Sequence, residues 1–138
     1  MKVFLDANIL ISVLNKEYPV FSYSSRILSS DHRAFSFYTS PLCLAIAFYF
    51  SEKKSGRTLA KAKINTLTKH IGITDLNKAI VFSALENKKI LDFEDGLEYY
   101  SAIKSDCKCI ITEDLSDFYF SGIEVLDSRS FFEKHCKK

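Results

Sequence analysis

The chain has 138 residues, 47% of them hydrophobic and 26% charged, a balance that fits one globular domain over residues 1–138 and excludes intrinsic disorder and fibrous repeats. Nineteen Lys and Arg against seventeen Asp and Glu leave a formal charge of +2. That is too small for bulk attraction to polyanions, so any nucleic-acid surface has to come from local segregation of charge.

In chain order, the run Lys2 to Leu5 predicts a strand ending at Asp6, followed by a helix with Ile9, Leu10, Val13 and Leu14 at helical spacing. Pro19 opens a second helix through Phe21 and Leu28, broken at Ser29-Ser30-Asp31. Phe35, Phe37 and Thr39 alternate as a second strand. Ser40-Pro41 then reads as N-cap and first helical residue of a helix whose run to Phe50 has no polar face, which predicts burial nearly all round. Gly56 stops that helix, and Arg57 to Lys69 resumes with Leu59, Ala60, Ile64 and Leu67 on one side. A short strand at Ile71 to Ile73 precedes a helix capped by Thr74 or Asp75 and running to about Asn87. Phe93 to Ile103 is the next helix, Cys107 to Thr112 and Ile123 to Leu126 are strands, and Ser128 to Cys136 closes as a helix. Strands alternating with helices imply a three-layer α/β/α fold around a mainly parallel sheet of four to five strands.

Two other readings fall on local patterns. Ala34 to Ser51 is uncharged, but Ser36, Thr39, Ser40 and Pro41 divide it, so no membrane span is expected. Asp6 and Asn8 interrupt what would be the apolar region of a signal peptide, which predicts a reducing cytoplasm and free thiols at Cys43, Cys107, Cys109 and Cys136. Cys107-x-Cys109 with His135 and Cys136 has the wrong spacing for a structural zinc site and reads as core cysteine. His32 and His70 have no ligand-like partner nearby in sequence.

The acids carry more. Ligands in such folds sit beyond the carboxyl ends of the strands. Asp6 follows the first strand directly, and Asp114 and Asp117 follow the strand ending at Thr112. The helix from Phe93 spans a sheet width, so its first turn, with Asp92, Glu94 and Asp95, returns to the same edge. Two carboxylates about 5 Å apart repel by roughly 3 kcal/mol at an effective dielectric near 20, so the cluster must protonate or hold a cation. Oxygen donors without His or Cys favour Mg²⁺ or Mn²⁺. Glu94, Glu98 and Glu113 read instead as capping or solubilising acids. Lys53 to His70 holds six Lys or Arg and no acid, whereas Asp92 to Asp117 holds eight acids and two lysines. This segregation makes Lys53, Lys54, Arg57 and Lys61 candidates for a phosphate backbone.

VFLDANILISVL, YTSPLCLAIAFYF, DFEDGLEYYSAI and CIITEDLSDF, in this order, resemble the blocks of the PIN domain family, common among bacterial VapC-type toxins. The resemblance covers nearly the whole chain. It implies that Asp6, Asp95 and one of Asp114 and Asp117 are catalytic metal ligands, that Asn8 holds the first loop, and that Thr112 orients the last loop or a water. It also implies Mg²⁺- or Mn²⁺-dependent endoribonuclease activity leaving 5′-phosphate and 3′-hydroxyl ends, RNA as substrate, and a cognate antitoxin as partner. One departure stands out: where many PIN domains carry Glu on the helix after strand two, this chain has Ala45, Ile46 and Ala47, and Glu52 faces elsewhere. On this reading the site is an acid short, and a non-catalytic RNA- or partner-binding domain is the alternative function. A phospho-accepting receiver domain needs paired acids after strand one, which FLDANIL lacks. The stretch FSFYTSPLCLAIAFYF is more aromatic than one small core needs: core packing is its first reading, a homodimer interface or an antitoxin contact for part of it the second, and a homodimer is the oligomer expected.

Overall fold

The computed structural model describes residues 1–30 and 33–137; Asp31 of the expected helix break, His32 and Lys138 lie outside the described residues. Five strands, β1 (Lys2–Leu5), β2 (Ser36–Thr39), β3 (Gly72–Ile73), β4 (Cys109–Ile111) and β5 (Glu124–Leu126), form one sheet in the order β3-β2-β1-β4-β5. Every pairing is parallel, as the alternation of strands and helices predicts. Val3, Phe4 and Leu5 of the central strand are all fully buried, the mark of a strand covered on both faces.

The helices are α1 (Ala7–Leu14), α2 (Val20–Leu28), α3 (Pro41–Ser55), α4 (Arg57–Leu67), α5 (Lys78–Glu86), α6 (Phe93–Lys104) and α7 (Ser128–Phe131). Right-handed crossovers place α1 to α4 on one face and α5 and α6 on the other, because the strand order reverses direction after β3. Contacts agree: α1 packs on α2 and α3, α3 on α4, and α5 on α6, while α7 returns to α2. The strand order reverses between β1 and β4, and in such folds ligands bind at the carboxyl edge of that switch point.

Local chemistry sets the boundaries. Ser40 caps α3 as expected, its hydroxyl accepting from Cys43 N at 3.0 Å, and Gly56, at φ +83°, joins α3 to α4 in a conformation that favours glycine. Four expectations need correction. First, α3 is not buried all round: only Cys43, Ala47 and Ser51 are buried, while Tyr49 and Phe50 are 51% and 44% exposed. Second, α5 is capped by Asn77, whose side chain accepts from Ile80 N at 3.1 Å, and not by Thr74 or Asp75. Thr74 is taken by the sheet, its N–H donating to Thr39 O at 2.8 Å. Third, the C-terminal segment is not one regular helix: one α-turn passes into a wider turn of π geometry over Phe132–Cys136. Fourth, the strand expected over Cys107 to Thr112 is shorter, Cys109–Ile111.

The cysteines are free thiols. Cys107 and Cys109 are buried, and His135 is engaged with Glu124 at 3.1 Å, so no zinc site forms among the described residues. No helix of the described residues is long and apolar enough to cross a membrane.

Candidate metal centre

Register brings the first two site residues together. Leu5 is paired with Ile111, so Asp6 and Thr112 leave adjacent strands side by side, and Asp6 N donates to Ile111 O at 3.0 Å. Asp6 is 7% exposed. It caps α1 through Oδ1, which accepts from Ala7 N at 2.7 Å, while Oδ2 accepts from Thr112 Oγ1 at 2.7 Å and Asn8 Nδ2 at 3.3 Å. Capping and clustering are therefore both properties of this carboxylate.

Asn8 and Thr112 lock the loop after β4. The Asn8 amide also donates to Thr112 Oγ1 at 3.1 Å and Asp114 Oδ2 at 3.2 Å, and its Oδ1 accepts from Glu113 N at 3.1 Å. Thr112 Oγ1 in turn accepts from Asp114 N at 3.0 Å. The bonds of this knot tie the Asp6 carboxylate to the start of α1 and to the residue that follows β4.

Asp92 caps α6, its Oδ1 accepting from Asp95 N at 3.2 Å. Asp95 is half-buried, and its carboxyl is pushed up to about 7 by burial first, then by the charges of Asp92, Asp117, Asp6 and Glu94. Asp117, on the exposed 3₁₀ turn Leu115–Phe118, is raised by loss of solvent and by Asp114, Asp6 and Asp92. The charges of Asp6 at the end of β1, Asp92 and Asp95 on α6 and Asp117 in the β4–β5 loop are thus within electrostatic reach of one another.

A further acid lies beneath them. Glu98 is 2% exposed, and its carboxyl is pushed up to about 10 by burial, then by the Asp6 charge. Cys43, at the start of α3, donates from Sγ to Glu98 Oε1 at 3.1 Å and lies 4.0 Å from Asp6 Oδ1. One donor atom each from Asp6, Cys43 and Glu98 all fall within 4.8 Å of one another. The expectation that Glu98 only caps or solubilises is overturned. Its sequence signal was weak, because a glutamate one turn beyond Asp95 looks like any polar helix residue until the fold sets it against residue 6. Glu113 keeps its structural reading: it accepts from Ser128 N at 3.2 Å and from the Ser128 hydroxyl. Glu94, exposed, sits in the first turn of α6.

Among the described residues no Lys, Arg or His forms an ion pair with Asp6, Asp95, Glu98, Asp114 or Asp117. The basic segment is elsewhere. Lys53 is ten residues beyond Cys43 on α3, roughly 15 Å along the helix, and its ammonium lies 4.4 Å from the Tyr49 ring. Lys54 donates to Asn15 O, Arg57 pairs with Glu52 at 3.1 Å, and Lys61 is exposed on α4. The fold does not bring these four to the acidic mouth. A concavity of about 680 Å³ between α1, α2 and α4 is lined by none of the acids.

A doubly wound parallel sheet with acids gathered near its strand-order reversal defines an α/β protein whose carboxyl edge offers carboxylate donors to a cation. The chain belongs to the PIN domain family, whose model matches residues 2–116. It is similar to Ribonuclease VapC1 of Aquifex aeolicus (strain VF5), at 31% identity over 140 residues, covering 96% of this chain and 94% of the relative. Its fold matches VapBC-1 from nontypeable Haemophilus influenzae with a TM-score of 0.73 at 17% identity, covering 94% of this chain and 99% of the other. It also matches VapC20 of Mycobacterium tuberculosis, a sarcin-ricin loop cleaving toxin, with a TM-score of 0.69 at 14% identity over 88% and 95% of the two chains.

Proposed function

We propose that this protein is a metal-dependent endoribonuclease that hydrolyses RNA phosphodiester bonds as the toxin of a toxin–antitoxin pair. What carries the reading is that Asp6, Asp95 and Asp117 lie within reach of one another's charge while no Lys, Arg or His among the described residues forms an ion pair with them. The donor set fits Mg²⁺ or Mn²⁺, which prefer carboxylate oxygens and leave positions for water and phosphate. When bound, such an ion polarises a phosphoryl oxygen and stabilises charge on it.

The chain's own residues divide the remaining work. Asp6 and Asp95 are the ligands set on rigid elements, at a strand end and in the first turn of a helix. Asp117 is read as the loop's ligand, because its charge acts on Asp95 whereas Asp114 is already held by Asn8. Asn8 and Thr112 orient Asp6, as outer partners of metal ligands do.

Relatedness to Ribonuclease VapC1 supports the reaction, and likeness to VapBC-1 supports a cognate antitoxin. Exposed Tyr49 and Phe50 on α3, with Phe82 and Leu85 on α5, offer apolar surface for a protein partner, a second copy included. We read the location as cytoplasmic, which the unpaired, buried thiols of Cys43, Cys107 and Cys109 support.

The test is incubation of purified protein with a structured RNA in Mn²⁺ or Mg²⁺ and in EDTA. Cleavage with metal, 5′-phosphate on the products and loss of activity in Asp6→Asn are expected. Equal cleavage in EDTA overturns the metal-dependent reading. RNA binding that survives chelation, with no cleavage in any metal, establishes the binding-domain alternative instead.

A further inference from the structure

On α3 no acid faces the mouth: Ala45 is exposed, Ile46 packs against the core, and Glu52 pairs with Arg57. The side chain occupying the space beneath Asp6 comes from α6. Glu98 follows Asp95 by three residues, so both project from one face of the helix, Asp95 at the mouth and Glu98 below it. At 2% exposure Glu98 has no cation beside it, accepts from the Cys43 thiol at 3.1 Å and brings an oxygen close to Asp6, where an apolar side chain would fill the same volume and bring none. That oxygen has a use if a divalent ion enters between the two strands' ends and α6.

We propose that Glu98 is a metal ligand of this centre, supplied by α6 in place of the acid that α3 lacks, and that Cys43 is the positioning residue that orients it. The geometry supports this: an oxygen of Asp6 and an oxygen of Glu98 lie within 4.8 Å of one another, a span that a single divalent ion bridges, and the Cys43 sulfur lies within the same distance of both. The Cys43 thiol reaches Glu98 Oε1 at 3.1 Å from the first turn of α3, a position that Ser40 fixes by capping Cys43 N. The cation class is a small divalent ion with a preference for oxygen, Mg²⁺ or Mn²⁺. This assignment rests on the reading of Asp6 and Asp95 as a metal centre.

Mn²⁺ affinity, measured on the full chain by the electron paramagnetic resonance of free Mn²⁺, tests it. Glu98→Gln keeps size and the acceptor for Cys43 but removes the charge. It is expected to weaken Mn²⁺ binding by about 10-fold or more, within the range for loss of an inner or outer partner of a metal, while circular dichroism stays unchanged. Equal affinity of wild type and Glu98→Gln overturns the role of Glu98 and leaves the Asp6–Asp95 centre standing. Absence of Mn²⁺ binding by the wild type overturns both together. Should Glu98→Gln not fold, Glu98→Asp carries the test: it keeps the charge but draws it back by one methylene, so weakened binding is expected and wild-type affinity refutes the assignment.

Discussion

Thr112 has no exposed surface, and its hydroxyl is fully used: it donates to Asp6 Oδ2 and accepts from Asn8 Nδ2 and Asp114 N. Thr112→Val keeps the shape and deletes all three bonds. The resulting unpaired groups cost about 1–3 kcal/mol of stability, measurable by urea unfolding. Activity should fall about 10- to 100-fold, the range seen when an outer partner of a metal ligand is removed; Thr112→Ser should retain most of it in the same RNA-cleavage assay. An unchanged cleavage rate in Thr112→Val would show that the knot does not set the position of Asp6. At this scale the strand pattern was informative for Asp6, which directly follows β1, while Asn8 and Thr112 were singled out only by the family resemblance and are hydrogen-bonded to Asp6. Glu98 was not legible, because its neighbours Asp6 and Cys43 are distant in the chain and only the packing of α6 against the edge of β1 introduces them.

Among the elements, α3 links the caps to the site. Ser40 is fully buried, accepts from Cys43 N at 3.0 Å, and so sets both the start of the helix and the direction of the thiol that meets Glu98. Ser40→Ala should cost about 1 kcal/mol, the usual value of an N-cap, and lower the midpoint of chemical unfolding without changing its slope. An unchanged midpoint would contradict the role of this cap. The cap of α3 was readable because Ser-Pro at a strand end has one helical interpretation. That of α5 was not, because Thr74, Asp75 and Asn77 are all cap-competent and the choice is made by Thr39 O drawing Thr74 into the sheet. The exposed aromatic side of α3 was misread for a similar reason: an uncharged helix is compatible with burial in a core and with a surface awaiting a partner, and periodicity does not separate the two.

For the molecule as a whole, the charge map needs the fold to interpret it. The lysine-rich segment and the acids sit on different parts of the structure, so the segregation seen along the chain does not become a single groove. What remains at the mouth is excess negative charge, and this makes stability depend on pH in a defined direction. In the unfolded chain Asp95 and Glu98 ionise near their ordinary values of 3.8 and 4.5, but in the folded protein only near about 7 and about 10. The folded state therefore holds protons that the unfolded state has released, so stability is lost as pH rises through this interval. The melting temperature of metal-free protein should fall between about pH 5 and pH 9, and saturating Mn²⁺ should raise it most at the alkaline end. A metal-free profile that rises with pH would contradict the clustering. Glu98→Gln should flatten the upper part of the profile.

The most direct test is crystallographic. Crystals soaked in Mn²⁺ and measured at the manganese absorption edge should show one strong anomalous peak at the carboxyl edge of β1, in contact with carboxylate oxygens of both Asp6 and Asp95. A peak elsewhere, or none at saturating Mn²⁺ from protein that still cleaves RNA, would show that these acids do not form the metal centre.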